Sequence, residues 1–165
     1  MDTTTAYFLD YADEEFDGKP FNGLSFMATI ERLDPDMAFW SDTHEGYSAW
    51  SVALHVAYYK YFVAKSLGAA APIEPYPFEK GSYGFGKPAT ADAASWKAVL
   101  DYSRKAHSIV MAAIRAAGPE KLAQMMPEWD IPYGKTVAWL ASHDVFHGAQ
   151  IRNMGVPGLK ESSEI

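Results

Sequence analysis

The chain contains no cysteine, so its 165 residues can form neither disulfide bonds nor thiolate metal sites. Clustered basic residues are missing as well, and the net charge is −7, from 14 lysines and arginines against 21 acidic residues. Proteins that bind nucleic acid need a positive surface, so we expect no nucleic-acid partner. Any metal site must use histidine, carboxylate or amide side chains.

Long apolar segments are also missing. No stretch reaches the roughly 18 uninterrupted apolar residues of a membrane-spanning helix, so we expect no association with a membrane. Residues 1–5 have neither the basic nor the apolar region of a signal peptide, which makes a cytoplasmic location the expectation. Hydrophobic residues nevertheless make up 48% of the chain, enough for the core of one domain over residues 1–165.

The first helical segment is interrupted. Its first half covers about residues 4–16, with an expected apolar face of Tyr7, Phe8, Tyr11 and Ala12. Residues 17–20 break the helix, because proline lacks a backbone N–H and glycine tolerates the left-handed conformation. Asn22 is the expected N-cap of a second half that ends near Leu33. We interpret the two halves as one kinked helix.

Three further helices are expected at about residues 48–67, 91–117 and 133–154. Ser48 can cap the first of them, and Gly68 follows its end. Strand-like alternation is absent from the sequence. Four long helices with long connections predict an all-α fold, a four-helix bundle, followed by a flexible tail over residues 155–165.

The connection over residues 69–90 is long and rich in proline, glycine and aromatic residues. A loop of this length inside a compact domain usually has a function, so we interpret it as a lid over a pocket. Within it, residues 81–87 nearly match a phosphate-binding loop. However, Pro88 occupies the position that requires serine or threonine, and no strand precedes the segment, so we reject that interpretation.

Two histidines lie on the expected core-facing side of the last helix. This face is defined by residues that recur at steps of four and three, namely Thr136, Leu140, His143, His147, Gln150 and Met154. His143 and His147 are one turn apart, so their imidazoles can ligate one ion. The alternative is two histidines that hydrogen-bond to neighbouring groups, which is the more common case for this spacing alone.

A third imidazole from another helix would make a more complete metal site. His55 on the second bundle helix and His107 on the third both occupy core-facing positions, and spacing does not choose between them. Three protein ligands with open coordination positions are typical of a catalytic metal, whereas structural zinc usually has four. His44 lies in a polar connection and is expected to be exposed.

Two blocks of the sequence resemble the DinB/YfiT-like family, a group of bacterial four-helix proteins with a three-histidine metal site. Residues 16–25 and 46–58 are similar to the kinked first helix and the Ser-x-Trp…His opening of the second helix. Residues 142–151 are similar to the signature His-Asp-x-x-His-x-Gly-Gln-Ile. One departure is that Ala149, rather than glycine, directly precedes Gln150.

The resemblance implies that His55, His143 and His147 are the metal ligands, and it leaves His107 outside the set. The implied cofactor is a divalent metal ion, Zn²⁺ or Ni²⁺, both of which suit imidazole. The implied activity is that of a metal-dependent enzyme acting on a small-molecule substrate, either a transferase that uses a low-molecular-weight thiol or a hydrolase. A non-catalytic, stress-related binding protein is the alternative. A homodimer is usual in the family.

The catalytic candidates are His147, Asp144 and Gln150. Asp144 precedes His147 by three residues and Gln150 follows it by three, so both lie near the ligand face. We expect them to orient the imidazoles or to contact the substrate, with simple packing roles as the alternative. Tyr59, one turn after His55, is expected to line the pocket or to pack in the core.

Overall fold

The protein is described by a computed structural model that covers residues 3–21, 23–68, 73–87 and 90–159. Its long helices are α1 (Thr3–Asp17), α4 (Ala49–Leu67), α5 (Ala93–Ala116) and α7 (Tyr133–Asn153). The short elements are α2 (Phe26–Ile30), α3 (Pro35–Phe39), a 3-10 turn (Ser82–Gly84), α6 (Pro119–Ala123), β1 (Met125–Met126) and β2 (Ile131–Pro132). The predicted all-α, four-helix architecture is confirmed; the antiparallel β1–β2 ribbon was not predicted.

Helix α4 is the central element of the bundle, since it packs against α5 on one side and α7 on another. Its start is fixed by Ser48, whose side chain accepts a hydrogen bond from the backbone N–H of Ser51. Its end is fixed by Gly68 in the left-handed conformation, as expected from the sequence. Most α4 side chains are buried, so polar residues on it must find partners inside the protein.

The apolar core consists of two clusters. One surrounds Trp50 and Trp96, and the other contains Val110 and Leu140. Between Val56 of the first cluster and Val63 of the second, α4 places the buried side chain of Lys60. Charged groups therefore lie at the level that separates the two clusters.

The predicted apolar face of α1 is wrong for its three aromatic residues and right for Ala12. Tyr7, Phe8 and Tyr11 are 71%, 47% and 42% exposed, whereas the helix buries Ala12 together with Leu9 and Phe16. The buried set follows helical spacing one step away from the aromatic residues, and a sequence with apolar residues on both faces does not reveal which face meets α7.

Helix α2 begins later than predicted, and α1 and α2 are two separate helices. The N-cap of α2 is Ser25, whose side chain accepts from the backbone N–H of Ala28. Asn22, the predicted cap, lies outside the described residues. The cap at Ser25 begins a new helix, and the described residues between Asp17 and Ser25 are not helical.

The expected tail is partly folded. Val156 is buried in the first core cluster and Leu159 packs against that cluster. Residues 160–165 lie outside the described residues. None of the helices in the described ranges carries an apolar stretch long enough to span a membrane.

Candidate metal centre

The three predicted ligands converge between α4 and α7. The Nε2 atom of His143 lies 3.0 Å from Nε2 of His55 and 3.1 Å from Nε2 of His147. Two nitrogens on a tetrahedral zinc ion, with bonds of about 2.0–2.1 Å, stand about 3.3 Å apart, so a small outward shift of the rings would admit an ion. Helix α7 presents its two histidines one turn apart, and α4 packs against α7 with His55 facing them.

In two of the predicted ligands, the ring nitrogen that faces away from the cluster, Nδ1, has a hydrogen-bond partner. Nδ1 of His55 lies 2.6 Å from the carbonyl oxygen of Tyr83, and Nδ1 of His147 lies 2.7 Å from Oε1 of Gln150. A carbonyl oxygen only accepts, so each Nδ1 carries the proton and each Nε2 carries a lone pair. A single N–H of His143 cannot satisfy both lone pairs, whereas a cation can accept all three. The donor set therefore fits a divalent ion.

Burial keeps the imidazoles neutral. Loss of hydration, with a smaller effect of the neighbouring imidazoles, lowers the pKa of His55 to about 4 and the pKa of His143 to about 2. Burial also lowers the pKa of His147, although the hydrogen bond with Gln150 opposes that shift. Neutral imidazole is the form that binds metal ions, so no proton has to leave the site at neutral pH.

Gln150 hydrogen-bonds to His147, which is the contact expected of a residue that orients an imidazole. Its Nε2 donates to the hydroxyl of Tyr47 at 2.7 Å, and that hydroxyl donates to a carboxylate oxygen of Glu45 at 3.1 Å. Hydrogen bonds thus run from Glu45 to His147 and increase the basicity of its Nε2. Glu45 and Tyr47 lie in a polar connection with no periodic pattern, so neither residue could be predicted from the sequence.

Asp144 is placed elsewhere. Its Oδ2 lies 2.6 Å from Nζ of Lys60, both side chains are almost fully buried, and Oδ1 has no partner among the described residues. Burial raises the pKa of Asp144 to about 6, and Lys60 opposes this. Within the described structure, Asp144 makes no hydrogen bond to any of the three imidazoles, and a role in orienting them stays a prediction.

The glycine-rich residues 81–86 hold His55. Tyr83 has a φ of 52°, in the left-handed region, and in this conformation its carbonyl oxygen accepts from His55. The next residue, Gly84, has a φ of 80°, and a Cβ there would lie 2.8 Å from the ring of Tyr58. Phe85 stacks on the His55 imidazole with 4.0 Å between ring centroids. The glycines therefore allow a close approach to a histidine, not to a phosphate.

A cavity of about 460 Å³ opens beside His55 and His143. Its other lining residues are Tyr59, Trp129, Thr136, Trp139 and Leu140. Tyr59 lines this cavity, the one of its two expected roles that the sequence favoured less. The described part of the 69–90 connection contributes no lining residue, so the expectation of a lid over this cavity is not supported.

The two remaining histidines lie away from the centre. His44 is exposed, as expected. Nε2 of His107 lies 2.8 Å from a carboxylate oxygen of Asp13, and its ring stacks on Phe16 with 3.9 Å between centroids. His107 is therefore not part of the cluster, in agreement with the ligand set that the resemblance implies.

Comparison with known proteins gives one finding about the family. A family model described as the DinB superfamily matches residues 25–151, a range that contains all three clustered histidines and Gln150. No curated protein and no solved structure matches the chain significantly.

Proposed function

The chain belongs to the DinB superfamily, and from that membership we propose that it is a metal-dependent transferase using a low-molecular-weight thiol. The observation that carries the proposal is the convergence of three Nε2 atoms at the edge of an aromatic cavity. His55, His143 and His147 are the proposed ligands of Zn²⁺ or Ni²⁺. The proposed substrate is a small molecule held in the cavity.

An ion bound by three imidazoles keeps positions open for an external ligand and lowers the pKa of a thiol or a water molecule there. The chain's own residues prepare this site before any ion binds. Tyr83 and Gln150 hold two imidazoles with their Nε2 atoms facing inward. Tyr59 and Leu140 supply apolar surface beside them.

One feature favours thiol transfer over hydrolysis. The sulfur nucleophile of that transfer would be a second substrate, because the protein has no cysteine. No carboxylate is found among the described residues that line the cavity, so a general base for water is missing there. In the proposed reaction the thiolate sulfur bonds to an electrophilic carbon, the leaving group departs with its electron pair, and the thiol proton passes to solvent.

The test is thiol-dependent turnover by protein reconstituted with Zn²⁺ or Ni²⁺. A chromogenic aryl halide is offered with cysteine, glutathione and other small thiols, beside chromogenic esters without thiol. We expect turnover only with a thiol, and its loss in His147→Ala but not in Lys97→Ala, which changes an exposed residue on α5. Ester cleavage without thiol would replace transfer by hydrolysis. A metal-loaded protein inactive in both assays would favour a non-catalytic binding protein.

A homodimer, the usual state in the family, remains part of the proposal. Sedimentation of the purified protein tests it directly. A monomer at micromolar concentration would remove the homodimer from the proposal without touching the metal centre, because all three ligands come from one chain.

A further inference from the structure

We infer that the cavity beside the three histidines binds an uncharged, flat aromatic group. Calling that group part of the electrophilic substrate rests on the proposed function. Binding of the group itself does not, because it depends on the cavity walls and not on the reaction.

The cavity wall is a continuous series of aromatic rings that leads to a metal ligand. The rings of Trp139 and Trp129 have centroids 6.4 Å apart, and those of Trp129 and Tyr59 lie 5.8 Å apart. Tyr59 then meets His143 in an edge-to-face contact at 5.6 Å. A flat ligand placed against this wall makes stacked or edge-to-face contacts along its whole length.

Charge is missing from the wall. None of the described lining residues is an aspartate, glutamate, lysine or arginine. The hydroxyl of Thr136 already donates to the carbonyl oxygen of Tyr133. Nζ of Lys135 lies 5.4 Å from the centroid of the Trp139 ring, but Lys135 is solvent-exposed and is not among the lining residues. A charged ligand would lose hydration in the cavity without gaining a counter-charge.

The space suits a fused-ring compound. A volume of about 460 Å³ lies within the usual range for small-molecule sites and exceeds that of a single six-membered ring. Trp139 and His143 also border a second, more open depression together with Ser142 and Phe146. A substrate larger than the aromatic cavity can therefore extend past the metal ligand to the surface.

The experiment compares three naphthalene probes whose polar substituents differ in charge: 2-naphthalenemethanol, 2-naphthoate and 2-naphthylmethylammonium. Equilibrium binding is measured by calorimetry with metal-stripped samples of wild-type protein, Trp139→Ala and Trp40→Ala, so that no bound ion attracts the carboxylate. Trp40 is the matched control, since it is 42% exposed against 44% for Trp139 and does not line the cavity. We expect the alcohol to bind at least about tenfold more tightly than either ion, and Trp139→Ala to weaken its binding about tenfold.

Equal binding by Trp139→Ala and Trp40→Ala would overturn the inference. So would equal binding of the naphthoate, or of the ammonium probe, which aromatic faces can also attract. The alcohol is also titrated into metal-loaded wild-type protein and into His147→Ala, in which the aromatic wall is intact, and its binding should persist in both. In metal-loaded wild-type protein, probe binding without thiol-dependent turnover would refute the proposed function and leave the cavity assignment standing; turnover without probe binding would do the reverse.

Discussion

Two buried groups of polar residues lie in the same bundle and use imidazole in opposite ways. In the metal centre, His55 and His147 direct their Nδ1 atoms to protein acceptors and leave Nε2 facing another imidazole. His107 directs Nε2 to Asp13, stacks on Phe16, and its Nδ1 has no partner in the described structure. A histidine becomes a candidate ligand through what its other nitrogen binds, not through burial or helix position alone.

The two groups also differ in charge. The polar layer, defined here as Asp13, Lys60, His107 and Asp144, contains a lysine and a carboxylate that neutralise each other at 2.6 Å. The three histidines of the metal centre have no such partner and present lone pairs to one another. The polar layer therefore has its charges compensated within the fold, whereas the three-histidine cluster presents lone pairs that could bind a cation.

The largest expected effect comes from breaking the polar layer. Lys60→Met leaves the buried Asp144 carboxylate without its partner, so the free energy of unfolding at pH 8 should fall by about 3–5 kcal/mol. Chemical denaturation measures this change. The double variant Lys60→Met/Asp144→Leu should recover most of the loss, since it removes both charges. Full stability in Lys60→Met would show that the ion pair does not hold this layer together.

The next prediction tests whether Gln150 supports metal binding by His147. Gln150→Leu removes the acceptor of the His147 Nδ1 proton, and we expect metal affinity to drop about 10–100-fold with little change in folding. Competition with a chromogenic chelator measures the affinity. Asn153→Leu is the control, because Asn153 lies on the same helix and bonds only to the backbone of Ala149. Equal affinities of the two variants would assign Gln150 a packing role.

Gly84→Ala should disturb His55, the other histidine whose Nδ1 has a hydrogen-bond partner. The added Cβ would press on Tyr58, shift the turn that carries the Tyr83 carbonyl and weaken metal binding about tenfold. Gly68→Ala has a matching left-handed φ of 71° but no described atom within 4 Å of the new Cβ. Gly68→Ala should lower the free energy of unfolding and leave metal affinity unchanged. If both variants bind metal like wild type, the turn does not position His55.

The smallest effect concerns pH. Burial, together with the charge of Lys60, lowers the pKa of His107 to about 3, while Asp13 opposes the shift. Between that value and about 6.5 the unfolded chain binds more protons, so this histidine should cost about 1 kcal/mol of stability as pH falls from about 6.5 to 5.5. His107→Phe should make the free energy of unfolding, measured by chemical denaturation at several pH values, change less with pH; that change with pH is the slope to compare. An unchanged slope would mean that His107 does not contribute to it.

Much of the bundle could be predicted because helical periodicity and caps such as Ser48 act locally. The pair His143 and His147 could be predicted for the same reason, since one helix presents both. The third member of the cluster depends on tertiary packing, and spacing alone left His55 and His107 equivalent. The family resemblance pointed to His55, and the packing of α4 against α7 places His55, not His107, beside the pair.

The roles of Lys60 and Tyr83 could not be predicted from the sequence, for a different reason. Lys60 lies on a helix that is buried almost all round, where a single lysine gives no periodic signal. Tyr83 acts through its backbone carbonyl, which any residue type would supply. The aromatic residues of α1 gave the opposite error. They were predicted to be buried because they are apolar, but they are exposed.

The most direct test of the account is the metal content of untagged protein after incubation with Zn²⁺ or Ni²⁺ and removal of the excess. Elemental analysis would compare wild type, His143→Ala/His147→Ala and His107→Ala, with circular dichroism as the check on folding. We predict about one ion per chain in wild type and in His107→Ala, and almost none in the still-helical double variant. Equal metal content in all three proteins, or loss of metal only in His107→Ala, would contradict the assignment of the centre.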